Sequence, residues 1–483
     1  MRKSQILFGS ICLALASAAS ANELEQISEP PLAPFLVIEG EPATERSLAG
    51  EMEAMGVRTI AYVPIKSRQI GRLSVTGADV GESDPSQLLF QAASISKPVA
   101  AIGVLRLVQA HNLDLDADVN SYLNGWSIDY SGFESAERVT IRLLLSHQAG
   151  LNVHGFPGYD PSEAMPDTHG VLEGAGNTAR IKLQAAPGSG FTYSGGGYTV
   201  LQLLVEEISG QDFASFMEQQ VLQPIGMDNS HFRDAPGSAF VPAAGGNSTL
   251  HEVAYHVYPE KAAAGLWTTP QDLAKFALAV DSIVDGKMPE FLSPMLAAQL
   301  LVVPGDDKAS EDTKDGYALG FGVDRSSRHN VFRHSGSNFG YKSIMFFDRA
   351  SGHGFVAMTG SDSGNPLNMM LARGFANANE LEFMEQRRLV PMPQTASDLD
   401  RISGVWTFGP GPLEGEKFQI APLGENRITA TSLKDGDMST LLATGRLEFV
   451  DLETTTPLNF REGEDGITEG VLAGRMVMRK QPN

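Results

Sequence analysis

Strand-like patterns at both ends of a long segment, with helical patterns between them, most constrain how this chain folds. The apolar runs Val57–Ile65 and Ile70–Val75 predict a β-hairpin near the start. Helical patterns follow, including the apolar run Val99–Val108. Grouped strands and grouped helices predict an α+β domain, an antiparallel sheet with a helical subdomain. Four strand patterns and a closing helix complete it: Gly320–Val323, Asn330–Arg333, Lys342–Phe347, Gly354–Met358 and Leu367–Leu389.

A second module is predicted after a proline-containing linker that begins at Pro391. Short strand patterns then recur at roughly ten-residue spacing, which is typical of a small all-β barrel, lipocalin-like in kind. The predicted division is therefore a signal peptide at 1–21, a main domain at 22–390 and a β-barrel-like module at 391–483. The strand candidates of this module are Gly404–Phe408, Lys417–Ala421, Arg427–Thr431, Leu447–Val450, Leu458–Arg461 and Gly474–Arg479.

The first residues have the pattern of a cleavable secretory signal. Arg2 and Lys3 precede the apolar run Ile6–Ala16, and the small residues 19–21 suit a cleavage site. Cleavage would remove the only cysteine, Cys12, and change the net charge from −22 to −24, since two cations and no acids are lost. We therefore expect a periplasmic or secreted bacterial protein without disulfides, and without a membrane span in its mature chain.

The negative charge also limits the partners. A strongly acidic protein is repelled by nucleic acid and by anionic membrane surfaces, so neither is expected to bind. The expected partner is a small-molecule or peptide substrate. The sequence leaves the oligomeric state open.

Ser94 and Lys97 carry the clearest chemical signal. They are three residues apart at the start of a predicted helix, so the hydroxyl and the amine would be neighbours on one face. A serine hydroxyl becomes a good nucleophile when an adjacent base takes its proton. The helix N-terminus would add N–H groups suited to a developing oxyanion. Alone, the pair is also typical of a solvated helix surface.

Two further motifs follow in order, Tyr193-Ser194-Gly195 and His334-Ser335-Gly336. With Ser94-x-x-Lys97 they resemble the motif set of the penicillin-recognising serine hydrolases. The branch that the sequence is most similar to contains class C β-lactamases, D,D-peptidases, family VIII esterases and D-aminopeptidases. The resemblance spans about residues 45–385 and also includes Leu143–Leu151, Gln223–Met227 and Ala264–Leu273.

The resemblance implies a β-lactamase/transpeptidase-like fold and an acyl-enzyme mechanism. It implies that Ser94 is the nucleophile, that Lys97 is the base or proton relay, and that Tyr193 passes a proton to the leaving group. The oxyanion hole would be formed by the backbone N–H groups of Ser94 and Ser337. Expected substrate-binding residues are His334, Gly336, Gly195 and Asn152. The 152–192 segment is predicted to be a long functional loop that shapes the pocket.

Two positions depart from the family pattern. Gly195 stands where the second motif usually has asparagine, and His334 stands where the lactamases have lysine. Both departures favour an esterase, or a D,D-peptidase or D-aminopeptidase that cleaves a peptide-like amide. The alternatives are a β-lactamase and a catalytically silent protein that binds cell-wall fragments. No cofactor or metal is expected, because His251 and His256 are five residues apart and would not share a helix face.

Overall fold

The computed structural model describes residues 30–42, 46–77, 84–237, 239–245, 251–305, 315–324, 329–384, 386–410, 413–452, 454–463, 466–474 and 476–481. The predicted signal peptide and its cleavage site lie outside them. The described residues form two compact units. The larger contains residues 30–33 and 46–384, and the smaller contains 34–42 and those from 386 onward.

An antiparallel sheet is the framework of the larger unit. Eight strands belong to it in the described part of the chain. Seven follow one another across the sheet, and Ser74–Gly77 pairs with Thr59–Lys66 off this path. The seven, in spatial order, are Gln69–Ile70, Thr59–Lys66, His353–Thr359, Tyr341–Asp348, Val331–Asn338, Gly322–Asp324 and Asp315–Tyr317.

Helices cover both faces of this sheet. Residues alternate along Thr59–Lys66, so Ile60 and Tyr62 pack in one apolar cluster with helices Leu48–Met55 and Asn365–Ala378. Ala61, Val63 and Ile65 face the main core, which contains Ser96–His111 and Pro270–Val284. The other helices of this unit are Ile141–Leu145, Thr168–Glu173, Gly195–Ser209, Phe213–Met217, Lys261–Ala264 and Pro294–Ala297, with a π-helix at Glu218–Leu222.

Shorter elements complete the larger unit. Phe90–Gln91 pairs with Trp267–Thr268, and Ala243–Gly245 pairs with His251–Val253. The predicted closing helix is shorter than expected, because it ends at Ala378 and Glu380 has a left-handed backbone with φ of 57°. The single-turn 3₁₀ helices are Pro85–Gln87, Ala93–Ile95, Val119–Ser121, Gln223–Ile225 and Glu382–Met384.

The smaller unit is a closed antiparallel barrel of eight strands. Trp406, which is fully buried, lies in its packed interior, and Leu399 and Ile402 of helix Ala396–Ile402 belong to the same cluster. The interior is thus filled by side chains. The strands are Gly404–Phe408, Lys417–Pro422, Arg427–Ser432, Met438–Gly445, Glu448–Asp451, Pro457–Gly463, Gly466–Leu472 and Met476–Lys480.

The boundary between the units differs from the sequence prediction. Leu36–Ile38 pairs in parallel with Arg387–Leu389, and Leu36, Ile38 and Leu389 pack against Leu442 and Val450. Residues 34–42 and 386–390, which we had assigned to the main domain, therefore belong with the barrel. This pairing joins segments about 350 residues apart, so local sequence patterns could not reveal it.

The predicted α+β sheet domain with a carboxy-terminal β-barrel is confirmed. The longest helix in the described ranges, Ser96–His111, has 16 residues. Within those ranges, no helix has both the length and the apolar character needed to cross a bilayer.

Candidate active site

A sharp turn holds Ser94 at the start of helix Ser96–His111. Ala93, the residue before it, has a left-handed backbone with φ of 52°, which is uncommon for a residue with a side chain. Ala92 fixes the turn by donating its N–H to the carbonyl of Leu266 at 2.9 Å. Ser94 itself is half-buried, so its hydroxyl lies at the edge of the core and can meet a substrate.

Lys97 lies one helical turn further on and is almost completely buried, with 2% of its surface exposed. Its Nζ atom is 3.1 Å from Ser94 Oγ and donates to the carbonyl of Ala263 at 2.8 Å. The same atom is 5.0 Å from the centroid of the Tyr193 ring. Among the residues that the structure describes, no carboxylate forms an ion pair with it. The Lys97 amine is thus shielded from water and lies within hydrogen-bond distance of the Ser94 hydroxyl.

Tyr193 belongs to a cluster of rings around His147. The centroid of the His147 ring is 4.1 Å from that of Tyr193, 5.2 Å from Tyr198 and 4.7 Å from Tyr317. Phe191 meets the edge of His147 at 5.9 Å. Such ring contacts hold aromatic side chains in defined orientations. The cluster therefore holds the Tyr193 ring beside Lys97.

The His334 ring lies 6.4 Å from that of Tyr193, centroid to centroid, and is neutral. Its Nδ1 lies 2.7 Å from the Ser335 carbonyl, which can only accept, so the proton is on Nδ1. Nε2 then accepts a hydrogen bond from the Tyr317 hydroxyl at 3.0 Å. Burial, and the nearby charge of Lys97, lower the pKa of His334 to about 3. His334 therefore supplies no positive charge for a substrate carboxylate at neutral pH.

Gly336 lets the strand Val331–Asn338 pass directly over the segment before Ser94. A Cβ atom at this position would lie 2.1 Å from the Ala92 carbonyl oxygen. The Ser343 hydroxyl donates to that same oxygen at 2.8 Å, which joins the next strand to the turn. A glycine is required here for the close approach, so Gly336 has a structural role in bringing this strand to Ser94.

Ser337 lies on a free edge of the same strand. Two residues connect Asn338 to Tyr341 in a tight hairpin. In such a hairpin every second residue, counted back from Asn338, exchanges backbone hydrogen bonds with its partner on the strand Tyr341–Asp348. Ser335 and Ser337 belong to the other set, so their N–H and C=O groups face away from that strand. The strand Gly322–Asp324 pairs only as far as Arg333. The Ser337 N–H therefore faces the open side near Ser94.

A cavity of about 530 Å³ opens beside these groups. Phe191, Tyr193 and Tyr317 give it aromatic walls on one part of its lining, and Phe191 is exposed to solvent over 58% of its surface. Gln148, Arg333 and His334 add polar groups. Its lining residues are Gln148, Phe191, Tyr193, Val303, Gly316, Tyr317, Gly322, Arg333, His334 and Ser335. This arrangement suits a substrate with an apolar part next to a polar reacting group.

Residues 63–379, about two thirds of the chain, match the family model described as Beta-lactamase. The chain belongs to the beta-lactamase family. It is accordingly a serine hydrolase with a β-lactamase/transpeptidase-like fold, as the order of the three motifs predicted.

Relatives within and near this beta-lactamase family include two curated proteins and a solved structure. The esterase EstB of Burkholderia gladioli is 32% identical over 173 residues, which is 34% of this chain and 43% of that protein. A penicillin-binding protein of Bacillus subtilis (strain 168) is 30% identical over 160 residues, 32% of this chain and 33% of that protein. The matches thus span less than half the length of these two relatives.

The solved structure is the octameric penicillin-binding protein homologue from Pyrococcus abyssi. It superposes with a TM-score of 0.61 at 18% identity, covering 89% of this chain and 98% of that one. At this identity the likeness concerns the fold.

In this beta-lactamase-family chain, the surroundings of Gly195 give the predicted substrate contact no support. It is buried, and its N–H donates to the carbonyl of His154 at 3.1 Å. A Cβ atom on it would lie 2.7 Å from the Phe156 ring, so this ring fills the space that the family asparagine would need. The glycine lets the 152–156 segment lie on the helix Gly195–Ser209.

Asn152 already has hydrogen-bond partners inside the protein. Its side-chain amide donates to the Arg180 carbonyl at 2.9 Å and accepts from the Lys182 N–H at 2.8 Å. Its backbone carbonyl accepts from the Ser194 hydroxyl at 2.6 Å. Asn152 thus ties the two ends of the 152–192 segment together, and the prediction that it contacts substrate has no support in this geometry.

The structure adds His147, Tyr317 and Phe156 to the site. His147 belongs to the stretch Leu143–Leu151 that supported the family resemblance, so its position could have been noticed in the sequence. No sequence signal indicates Tyr317 or Phe156, because each reaches the site through the fold.

Glu260 is a buried carboxyl group just before the short helix that carries Ala263. It is fully buried, and neither carboxyl oxygen has a hydrogen-bond partner among the described residues. Burial disfavours the charged form and raises the pKa of Glu260 from its usual 4.5 to about 7. The folded protein therefore retains a proton at this group that the unfolded chain releases.

The glutamine variant Glu260→Gln should change how stability depends on pH. Because the folded-state pKa is raised, the wild type loses stability as pH rises from about 4.5 through about 7, and a glutamine cannot. We expect the variant to be more stable than the wild type by roughly 3 kcal/mol at pH 8, and equally stable below about pH 4.5. Urea unfolding at several pH values measures the difference.

A matched control is Glu53→Gln, which removes an exposed carboxylate from helix Leu48–Met55. Its stability relative to the wild type should be nearly independent of pH. A Glu260→Gln difference that also stays constant from pH 4.5 to 8 would contradict the burial argument.

Proposed function

We propose that this chain is an exported serine hydrolase that cleaves carboxylic esters through an acyl-enzyme on Ser94. The observation that carries the proposal is the 3.1 Å contact between Ser94 Oγ and the buried Nζ of Lys97. A serine in contact with a base shielded from water has the arrangement needed for nucleophilic catalysis. Export is supported by the charged start, apolar run and small residues of positions 1–21.

In the proposed acylation step, Ser94 Oγ attacks the ester carbonyl carbon and Lys97 takes its proton. The negative charge moves to the carbonyl oxygen, where the N–H groups of Ser94 and Ser337 stabilise it. The C–O bond to the alcohol then breaks, and Tyr193 passes its proton to the leaving oxygen. Lys97 then gives Tyr193 the proton that it took from Ser94. Water then attacks the acyl carbon while Lys97 takes a proton from it. The bond from this carbon to Ser94 Oγ breaks, the acid is released, and the proton returns to Ser94 Oγ.

An ester is favoured over an acylamide by the surroundings of the site. Phe156 occupies the space beside Gly195, so no side-chain amide projects there to bind an acylamide group. The neutral His334 provides no cation for a carboxylate next to the reacting bond. The aromatic walls of the cavity suit an apolar acyl or alcohol group. The similarity to an esterase of Burkholderia gladioli agrees with this choice.

One observation favours a second substrate class, a peptide-like amide of the kind that D,D-peptidases or D-aminopeptidases cleave. Ser335 and Ser337 present backbone groups at an unpaired strand edge within the described part of the sheet. An extended peptide backbone could pair with such an edge. A β-lactamase and a silent protein for cell-wall fragments remain the weaker alternatives.

The proposal predicts turnover of p-nitrophenyl butyrate by the protein lacking residues 1–21, faster than turnover of a D-alanyl p-nitroanilide or a chromogenic cephalosporin. A fluorophosphonate probe should label the protein once, and peptide mass spectrometry should find the label on Ser94. Faster cleavage of the anilide would select the peptidase alternative. Neither turnover nor labelling would leave the silent binding protein as the better description.

A further inference from the structure

His147 contacts Tyr193 and both residues that flank it. The backbone N–H of Thr192 donates to the His147 carbonyl at 2.7 Å. The backbone N–H of Ser194 donates to His147 Nδ1 at 3.1 Å. Between these two bonds, the His147 and Tyr193 rings lie 4.1 Å apart, centroid to centroid, at an angle of 34°. One residue thus fixes the backbone on each side of Tyr193 and the ring itself.

The backbone of His147 is in a conformation that this arrangement explains. Its φ is 58°, in the left-handed region, which is uncommon for a residue with a side chain. Such backbone strain persists only where surrounding contacts over-determine it. Here the His147 N–H also bonds to the Leu144 carbonyl at the end of helix Ile141–Leu145. The turn is therefore held from the helix on one side and from the Tyr193 segment on the other.

His147 is unsuited to transferring protons itself. Because Nδ1 accepts from Ser194, the ring proton is on Nε2, which is buried and has no hydrogen-bond partner in the described ranges. Burial, and then the nearby Lys97, lower the pKa of His147 well below its usual value. The ring is consequently neutral and has no acceptor left to offer.

We propose that His147 is the positioning residue of Tyr193, holding the phenol beside Lys97 by a backbone bond on each side and a tilted ring contact. The inference rests on the proposed function, in which Tyr193 carries the leaving-group proton. The ring of His147 also contacts Phe191, Tyr198 and Tyr317, but the two backbone bonds go to the residues that flank Tyr193. Losing the ring should therefore slow the reaction without weakening substrate binding.

The variant His147→Asn isolates the contribution of the ring. Asparagine tolerates the left-handed backbone, and its Oδ1 can replace Nδ1 as the acceptor for Ser194, so folding should be retained. We expect kcat for p-nitrophenyl butyrate to fall roughly 10–100-fold with KM unchanged, since small misplacements of reacting groups have effects of this size. In a Tyr193→Phe background the same substitution should have no further effect on kcat.

The matched control is His231→Asn. His231 is also buried, and its Nδ1 also accepts a backbone N–H, that of Arg233 at 3.2 Å, but it lies outside the site. The variant His231→Asn should retain the wild-type kcat. A wild-type kcat in His147→Asn would overturn this inference and leave the proposed function standing. The same holds if His147→Asn lowers kcat as much in the Tyr193→Phe background as in the wild type. Wild-type kcat in Tyr193→Phe itself would instead remove the proposed role of Tyr193.

Discussion

Replacing Ser94 by alanine is expected to reduce ester turnover by at least ~10⁴-fold, because the acyl-enzyme cannot form without the hydroxyl. Ser94 is half-buried and its hydroxyl has one contact, the 3.1 Å contact with Lys97 Nζ. Alanine leaves the backbone turn intact, so the fold should be kept. The variant should also no longer react with the fluorophosphonate probe. Ester hydrolysis, intact-protein mass and the thermal transition measure these three expectations.

Ser96 provides the matched control two residues further along the same turn. It is fully buried, and its hydroxyl accepts a hydrogen bond from the Leu266 N–H at 2.9 Å. Ser96→Ala should therefore lower stability by about 1–2 kcal/mol, since it leaves a buried N–H unpaired, while probe labelling continues. Wild-type turnover in Ser94→Ala would show that another group is the nucleophile.

The contact between Ser94 and Lys97 could be predicted from sequence because it depends on local geometry. Residues three apart at a helix start face the same way wherever the helix lies. The sheet was predictable for a similar reason, since its strands are visible in the sequence as short apolar runs. Features that depend on residues close together in the chain could therefore be predicted from the sequence.

The roles of Asn152 and Gly195 could not be inferred in this way. The polar groups of Asn152 are used by Arg180 and Lys182, and only the folded 152–192 segment brings these main-chain groups to it. The space beside Gly195 is filled by Phe156, which is 39 positions away in the numbering of the chain. The family resemblance alone named both as substrate contacts, whereas their partners in the folded chain depend on tertiary packing.

Pairing between strands also explains why Tyr317 could not be predicted as a site residue. Tyr317 reaches His334 because the strands Asp315–Tyr317 and Val331–Asn338 both pair with Gly322–Asp324. No periodicity marks Tyr317 as a site residue. Its importance comes from the hydroxyl that fixes the neutral form of His334, which is a consequence of the sheet register.

Replacing Lys97 by methionine should abolish turnover and leave the protein as stable as the wild type, or more stable. The side chains are similar in length, so the core can accept methionine. The substitution loses the bond to the Ala263 carbonyl, but it removes a polar amine that is 2% exposed. Burying a polar amine costs free energy that burying a methionine side chain does not, and this offsets the lost bond. We expect activity to fall at least ~10⁴-fold, because no other base among the described residues is hydrogen-bonded to the Ser94 hydroxyl.

The same substitution at Lys275 separates the two effects. Lys275 lies 2.8 Å from the carboxylate of Asp272, which is fully buried, so Lys275→Met should destabilise the protein by roughly 1–3 kcal/mol and leave turnover unchanged. Urea unfolding and ester hydrolysis of both variants give the comparison. Retained turnover in Lys97→Met would refute its role as base, and a large loss of stability there would show that Lys97 supports the fold. Opposite effects of one substitution at two lysines would mean that this site keeps a buried amine for chemistry, at the expense of stability.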